Sequence, residues 1–338
     1  MFKSVMSGEN FSTHSTGGWD KLPMYFVYVC QGVVIAGSNL VIVTAILKYN
    51  ALRNSKEYLV LMAQSLADAI YYLGFMFGGL TRMSLVFFGF HDTLFLTAWQ
   101  CMLTPHNIIW SFGPHLATSM LVIVALDRLL MVTDPLRYIS LTIFYTKIVI
   151  MVTYGLNIAF GIFGILATFH TFDDQPNISA ICVTEAALAV TPQIYVTISL
   201  GYPIVAAATS VFLYVLLYVV YRRSKAQVYA AQGADRPTSQ QQKLHLRRQR
   251  RLTVTLGISG ICTLCLFCFP YTVAQVLFKV GQYEGLAMIF WIMSGTNPLV
   301  NVFLYPMRHK DMRIALRGLF VCKEMPLDIT MWHHQAQG

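Results

Sequence analysis

The chain has 338 residues, of which 56% are hydrophobic and only 12% charged, and its mean hydropathy is positive. A soluble protein of this length needs charge over most of its surface, so the composition excludes one and points to a polytopic membrane protein. The net charge of +9 invites a nucleic-acid partner, but the basic residues fall in short segments between apolar runs rather than in one patch, which excludes that class.

Residues 1–22 form a polar tail without the short apolar region of a cleaved signal peptide, so the first apolar run is expected to act as the insertion signal. Apolar runs follow at 23–47, 58–80, 98–126, 147–169, 193–221, 252–278 and 286–306, each long enough to cross the hydrocarbon as a helix. The expected fold is therefore all-α: a seven-helix transmembrane bundle over 23–306, then a segment over 307–338. There Arg308, Lys310 and Arg313 alternate with Ile314, Leu316, Leu319 and Phe320, the spacing of a short amphipathic helix in the membrane interface. No internal repeat, heptad or low-complexity tract occurs.

Charge sets the orientation. Lys and Arg number 3 in residues 48–57, 3 in 127–147, 9 in 222–251 and 5 in 306–338, which is 20 of the 24. The opposite side holds Lys3, Lys21, Arg82 and Lys279. This asymmetry predicts a multi-pass plasma-membrane protein with its amino terminus outside and its carboxy terminus in the cytoplasm. Two glycosylation sequons, at Asn10 and Asn177, fall on the predicted outer side. The connection over 222–251 ends in Arg247, Arg248, Arg250 and Arg251, which reads both as an inner-leaflet anchor and as a partner surface.

Of seven cysteines, Cys101 and Cys182 lie on the predicted outer side, an oxidising compartment. Cys262, Cys265 and Cys268 recur every third residue; with no other usual ligand in that run they read as packing residues, not a metal site. Cys322 follows the amphipathic segment, where palmitoylation and an inert thiol are both open readings. Asp68 is the acid deep within a run and should face the bundle interior with polar partners, for which Asn39 and Asn297 are candidates. Pro203, Pro270 and Pro298 interrupt runs five, six and seven, where each removes a backbone hydrogen bond and permits a kink.

The third run ends in Asp127 and Arg128, followed by Val132, Pro135, Leu136 and Tyr138. An acid–arginine pair at the end of an apolar run, then a proline turn, presents something at the water interface. This string resembles the D-R-Y-x-x-V-x-x-P-L-x-Y pattern of rhodopsin-like (class A) G-protein-coupled receptors, departing from it at Leu129. The resemblance implies a receptor that binds an extracellular ligand and activates a heterotrimeric G protein, with Asp127, Arg128, Pro135, Leu136 and Tyr138 as the coupling residues. It implies a Cys101–Cys182 disulfide. It also implies a switch network of Asn39, Asp68, Asn297, Pro298, Tyr305, Cys268, Pro270 and Pro203, with sodium at Asp68 or, alternatively, a hydrogen-bond cluster without an ion. No other cofactor is expected.

Departures from the family pattern are informative. Cys268 stands where the sixth helix usually has tryptophan, Asn301 where the seventh usually has tyrosine, with Tyr305 one turn on, and Ala117 where a hydroxyl is usual, beside Thr118 and Ser119. The spacing from Cys101 to Arg128 is two residues longer than usual, which Pro105 and Pro114 could absorb. Arg250 lies where many relatives have an acid that restrains the arginine. The Asp127–Arg128 pair is then the expected chief resting restraint, and basal activity should be appreciable. Trp110 stands where amine receptors have aspartate, and no lysine in the seventh run could form a retinal Schiff base. Asn107, Trp110, Tyr271, Gln275 and Trp291 are the candidate ligand pocket, against the plain reading of interfacial aromatic packing. The divergent sixth and seventh helices are similar to nematode-type chemosensory receptors, with a neuropeptide receptor as the alternative. A polytopic carrier, the rival class, would need several interior charges and repeat-related halves. The motifs H-E-x-x-H and G-x-S-x-G do not occur, and no enzyme is expected.

Overall fold

The computed structural model describes residues 18–91, 93–169, 176, 178–188, 191–232, 261–280 and 284–321. Asn10, Asn177, Arg247, Arg248, Arg250, Arg251 and Cys322 lie outside the described residues. Among the described residues, six helices are long and apolar enough to cross a membrane: Trp19–Lys48, Lys56–Phe87, Pro105–Thr133, Ile143–Ala167, Gln193–Val220 and Gly285–Met307. A shorter apolar helix, Ile261–Leu277, stands between the last two in the chain. These are the seven runs of the sequence, and they pack as a helical bundle.

Three of the helices depart from simple uninterrupted spans. The third span begins at Pro105, preceded by a separate short helix, Ala98–Met102, so Cys101 is not on the span at all. Proline at a helix start loses nothing, because the first N–H groups are unpaired in any helix; this break absorbs the extra spacing between Cys101 and Arg128. The sixth helix carries a π-turn over Leu264–Cys268 just before Pro270, which accommodates the hydrogen bond that proline cannot make. The seventh span breaks at Gly295, between Glu284–Ser294 and Thr296–Arg308. A side chain at Gly295 would overlap Gln31 and come within 2.8 Å of the Tyr72 hydroxyl.

The first two spans meet backbone to backbone. A Cβ at Gly32 would lie 2.6 Å from the Met76 nitrogen, and one at Gly79 2.7 Å from the Tyr25 carbonyl oxygen. In lipid, helix association relies on such close packing because the solvent is itself apolar. Gly32→Leu should force the helices apart at a cost of about 1–3 kcal/mol. The expected result is several-fold less protein at the cell surface, read by surface labelling against total protein.

The amphipathic segment forms the helix Lys310–Val321. Its apolar residues Met312 and Ala315 are buried in a cluster with Ala45, Ile46, Tyr49 and Leu52 of the first span and its following turn, joined by Leu316. The apolar side thus packs in part on protein, where the sequence led to an expectation of lipid, and Lys310, Arg313 and Arg317 stay exposed.

Candidate functional site

At one end of the bundle the chain folds a cap over the helices. Cys101 and Cys182 are disulfide-bonded, with Cα atoms 5.4 Å apart. A two-residue antiparallel ladder pairs Phe95–Leu96 with Ile178–Ser179 beside it. Asn107 donates to the Cys101 carbonyl at 3.0 Å and accepts from the Thr184 hydroxyl at 2.6 Å. Arg82 is buried there too, its Nε donating to the Ile181 carbonyl at 3.0 Å and its guanidinium 5.2 Å from the Trp110 ring. Asn107 is therefore a strut of the cap, and so is Arg82, which the sequence marks only as one of the four basic residues away from the charged face.

Beneath the cap the candidate pocket residues form an aromatic layer. Trp110 packs edge-on to Phe75 at 5.5 Å; Trp291 lies 6.3 Å from Phe75 and 5.4 Å from Tyr271. Gln275 is half-buried one turn beyond Tyr271. Trp291 also packs on the cluster of Phe267, Cys268 and Tyr271. The bulk absent at Cys268 on the sixth helix thus comes from the seventh.

At mid-depth Asp68 is buried and accepts from the Gln64 amide at 3.0 Å, while Asn39 donates to its own helix at the Ile35 carbonyl, 3.0 Å away. Asn297 accepts from the Thr263 hydroxyl at 3.4 Å, and Pro203 and Pro298 are buried beside neighbouring helices. Asp68 and Asn39 thus bond within their own helices, while Asn297 bonds across to the sixth. Ser119 lies 2.7 Å from the Tyr202 hydroxyl and accepts from the Asn157 amide at 3.1 Å, tying spans three, four and five. The missing hydroxyl at Ala117 is replaced two residues on.

The opposite end holds the Asp127–Tyr138 string. Arg128 is 1% exposed, a charge almost wholly removed from water. Its Nη1 meets Glu57 Oε1 at 2.5 Å, whereas its Nε is 3.7 Å from Asp127 Oδ2. Glu57 is in the first turn of the second span, where a carboxylate also favours the positive end of the helix dipole. The same Oε1 lies 3.6 Å from His309 Nε2, at the end of the seventh span, and Tyr58 packs its ring 5.3 Å from His309. Tyr305 is buried in the adjoining cluster with Tyr58 and Met312. Glu57 is thus the nearer carboxylate to Arg128, and the Asp127 pair, expected to be the chief restraint, is the longer of the two.

Past Arg128 the chain turns into a short helix, Pro135–Ser140. Asp134 caps it, accepting from the Arg137 N–H at 3.1 Å. Lys56 closes its far end by donating to the Tyr138 and Leu141 carbonyls at 2.7 and 2.6 Å, with its ammonium 4.7 Å from the Tyr138 ring. Burial first, and then the Asp127 carboxylate, push the Tyr138 hydroxyl well above its ordinary range, so it stays protonated. Leu136 and Ile139 are left 80% and 74% exposed on the free face. A short helix held at both ends thus shows two large apolar side chains.

Comparison with known proteins bears on both ends of the bundle. Residues 33–320 match the family described as serpentine type 7TM GPCR chemoreceptor Srsx. Trace amine-associated receptor 9 of Rattus norvegicus is 23% identical over 317 residues, covering 89% of this chain and 88% of that protein. Trace amine-associated receptor 8c of Mus musculus is 23% identical over 310 residues, covering 87% and 86%, and receptor 8 of Homo sapiens 22% over 312 residues, with the same coverage.

Proposed function

The chain belongs to the serpentine seven-transmembrane G-protein-coupled chemoreceptor family Srsx, and on that premise we propose how its two ends divide the work. It is a multi-pass membrane receptor of chemosensory type, a reading the family match favours over both a neuropeptide receptor and a carrier. In this reading the disulfide-bonded cap faces outside and the Asp127–Tyr138 end faces the cytoplasm, an orientation the distribution of basic residues supports. Ligand enters at the aromatic layer of Trp110, Tyr271 and Trp291. Binding favours a state in which the cytoplasmic ends part, Arg128 meets the carboxy-terminal helix of a G-protein α subunit, and Leu136 packs on its surface. The observation that carries this reading is the fully buried Arg128 beside a preformed helix with Leu136 exposed.

The ligand is not a protonated amine. Trp110 occupies the position where amine receptors have aspartate, so a protonated amine would meet an indole there and not a carboxylate. Simple primary amines are expected to give no exchange above buffer, unlike what the names of the trace amine relatives suggest for those proteins. A G-protein activation screen across volatile, lipid and peptide libraries, with Arg128→Ala as the blank, tests the whole reading. A response lost in the blank supports it; solute flux in proteoliposomes without nucleotide exchange goes against it.

Asp68 is offered as a sodium site. Asn39 Oδ1, Gln64 Oε1, Ser65 Oγ and Asp68 Oδ2 are buried oxygens without a hydrogen-bond partner among the described residues. Such a set fits a small hard cation, whose positive charge would offset the buried carboxylate, with Asp68 and Asn39 as its holders. Sodium should then lower agonist-driven exchange in the wild type and have no effect on Asp68→Asn.

A further inference from the structure

We propose that Glu57, in the first turn of the second span, is the receptor's resting latch on Arg128, while Lys56 beside it keeps the coupling helix ordered for use. The proposal rests on Arg128 being the coupling residue and adds what keeps it out of use.

Two neighbouring side chains grip different parts of one surface. Glu57 meets Arg128 Nη1 at 2.5 Å. Lys56 donates to two carbonyls at the end of the helix Pro135–Ser140. Adjacent residues on a helix point about 100° apart, so one turn reaches both. Arg128 cannot touch a partner while it is buried against Glu57, so Glu57 opposes coupling. Lys56 keeps Leu136 presented on an ordered helix, so Lys56 favours it. Charge removal at the two sites should act in opposite directions, a result that mere loosening of the fold would not give.

The latch is also tied to the seventh span. Glu57 Oε1 faces His309, the residue that ends Thr296–Arg308, and Tyr58 packs on the same imidazole. The other half of that span carries Trp291, in the aromatic layer at the far end. A shift of the seventh span on ligand binding would therefore alter the Glu57 surroundings directly. In relatives with an acid on the sixth helix, release follows that helix; here the holding acid sits on the second and faces the seventh.

Glu57 is a positioning residue, and its test is ligand-independent nucleotide exchange per surface receptor, measured with purified heterotrimeric G protein. Glu57→Gln should raise exchange about tenfold, within the range available when the active state is a minor population. Glu57→Gln combined with Arg128→Ala should fall to the level of Arg128→Ala alone. Lys56→Met should lower ligand-driven exchange without raising the basal rate. Equal basal exchange in Glu57→Gln and wild type overturns the latch, as does a Lys56→Met rise matching that of Glu57→Gln. Should Glu57→Gln fail to reach the surface, Glu57→Asp, one methylene too short to keep the contact, decides by the same comparison. If Arg128→Ala exchanges like the wild type, the coupling reading itself fails; if it is inactive while Glu57→Gln is unchanged, only the latch does.

Discussion

Replacing Arg128 with alanine is expected to reduce receptor-dependent nucleotide exchange about a hundredfold or more, to the level of membranes without receptor. An arginine at the centre of an interface contributes about 2–4 kcal/mol or more when truncated, and each 1.4 kcal/mol is tenfold. The fold should tolerate the change better than the signal does. Removing one partner of a fully buried ion pair costs about 3–5 kcal/mol, but the side chain of Glu57, the partner left behind, is 23% exposed and can be hydrated from the rim. Surface labelling should therefore stay near wild type while exchange is lost. Exchange that persists at normal surface levels would remove Arg128 from the coupling role.

The second large effect is expected at the cap. Cys101→Ser opens a loop whose ends are 81 residues apart. Loop-closure entropy alone would put the loss between about 3 and 5 kcal/mol. Membrane helices persist in the unfolded state, which reduces the figure, but the bond also holds the carbonyls on which Arg82 and Asn107 donate. Those donors would lose their acceptors together. The result should be a several-fold fall in the ratio of surface to total protein, and Cys182→Ser should reproduce it. Normal surface levels in both variants would show that the cap is held by its other contacts.

The class of fold was legible because lipid imposes simple demands. Each span needs length and apolarity, and the basic residues mark one face of the membrane; both are written locally in the chain. The Asp127–Tyr138 string was legible for the same reason, since its capping aspartate, proline and exposed Leu136 are neighbours in sequence. What could not be read depends on contacts between distant residues. Glu57 is 71 positions from Arg128, and nothing near it in sequence marks it as the arginine's partner, although an acid in the first turn of a span at the charged face is a signal that could have been used. Asn107, expected in the pocket from its place near the outer end of the third run, instead bonds at the disulfide, in the first turn of a span that begins at Pro105. Cys268 departs from the family's tryptophan in sequence, and the ring packed beside it, Trp291, comes from another helix. The same holds at the coupling end. Absence of an acid near Arg250 led to an expectation of appreciable basal activity, whereas a latch at Glu57 would keep the wild-type rate low without ligand.

The most direct measurement is nucleotide exchange on purified heterotrimeric G proteins by the chain in lipid nanodiscs, with Glu57→Gln, wild type and Arg128→Ala side by side and no ligand added. The expected order is Glu57→Gln highest, wild type low but measurable, and Arg128→Ala indistinguishable from empty discs. Three equal rates above that of empty discs would contradict a receptor that couples through Arg128, and three equal rates at the level of empty discs would contradict the Glu57 latch.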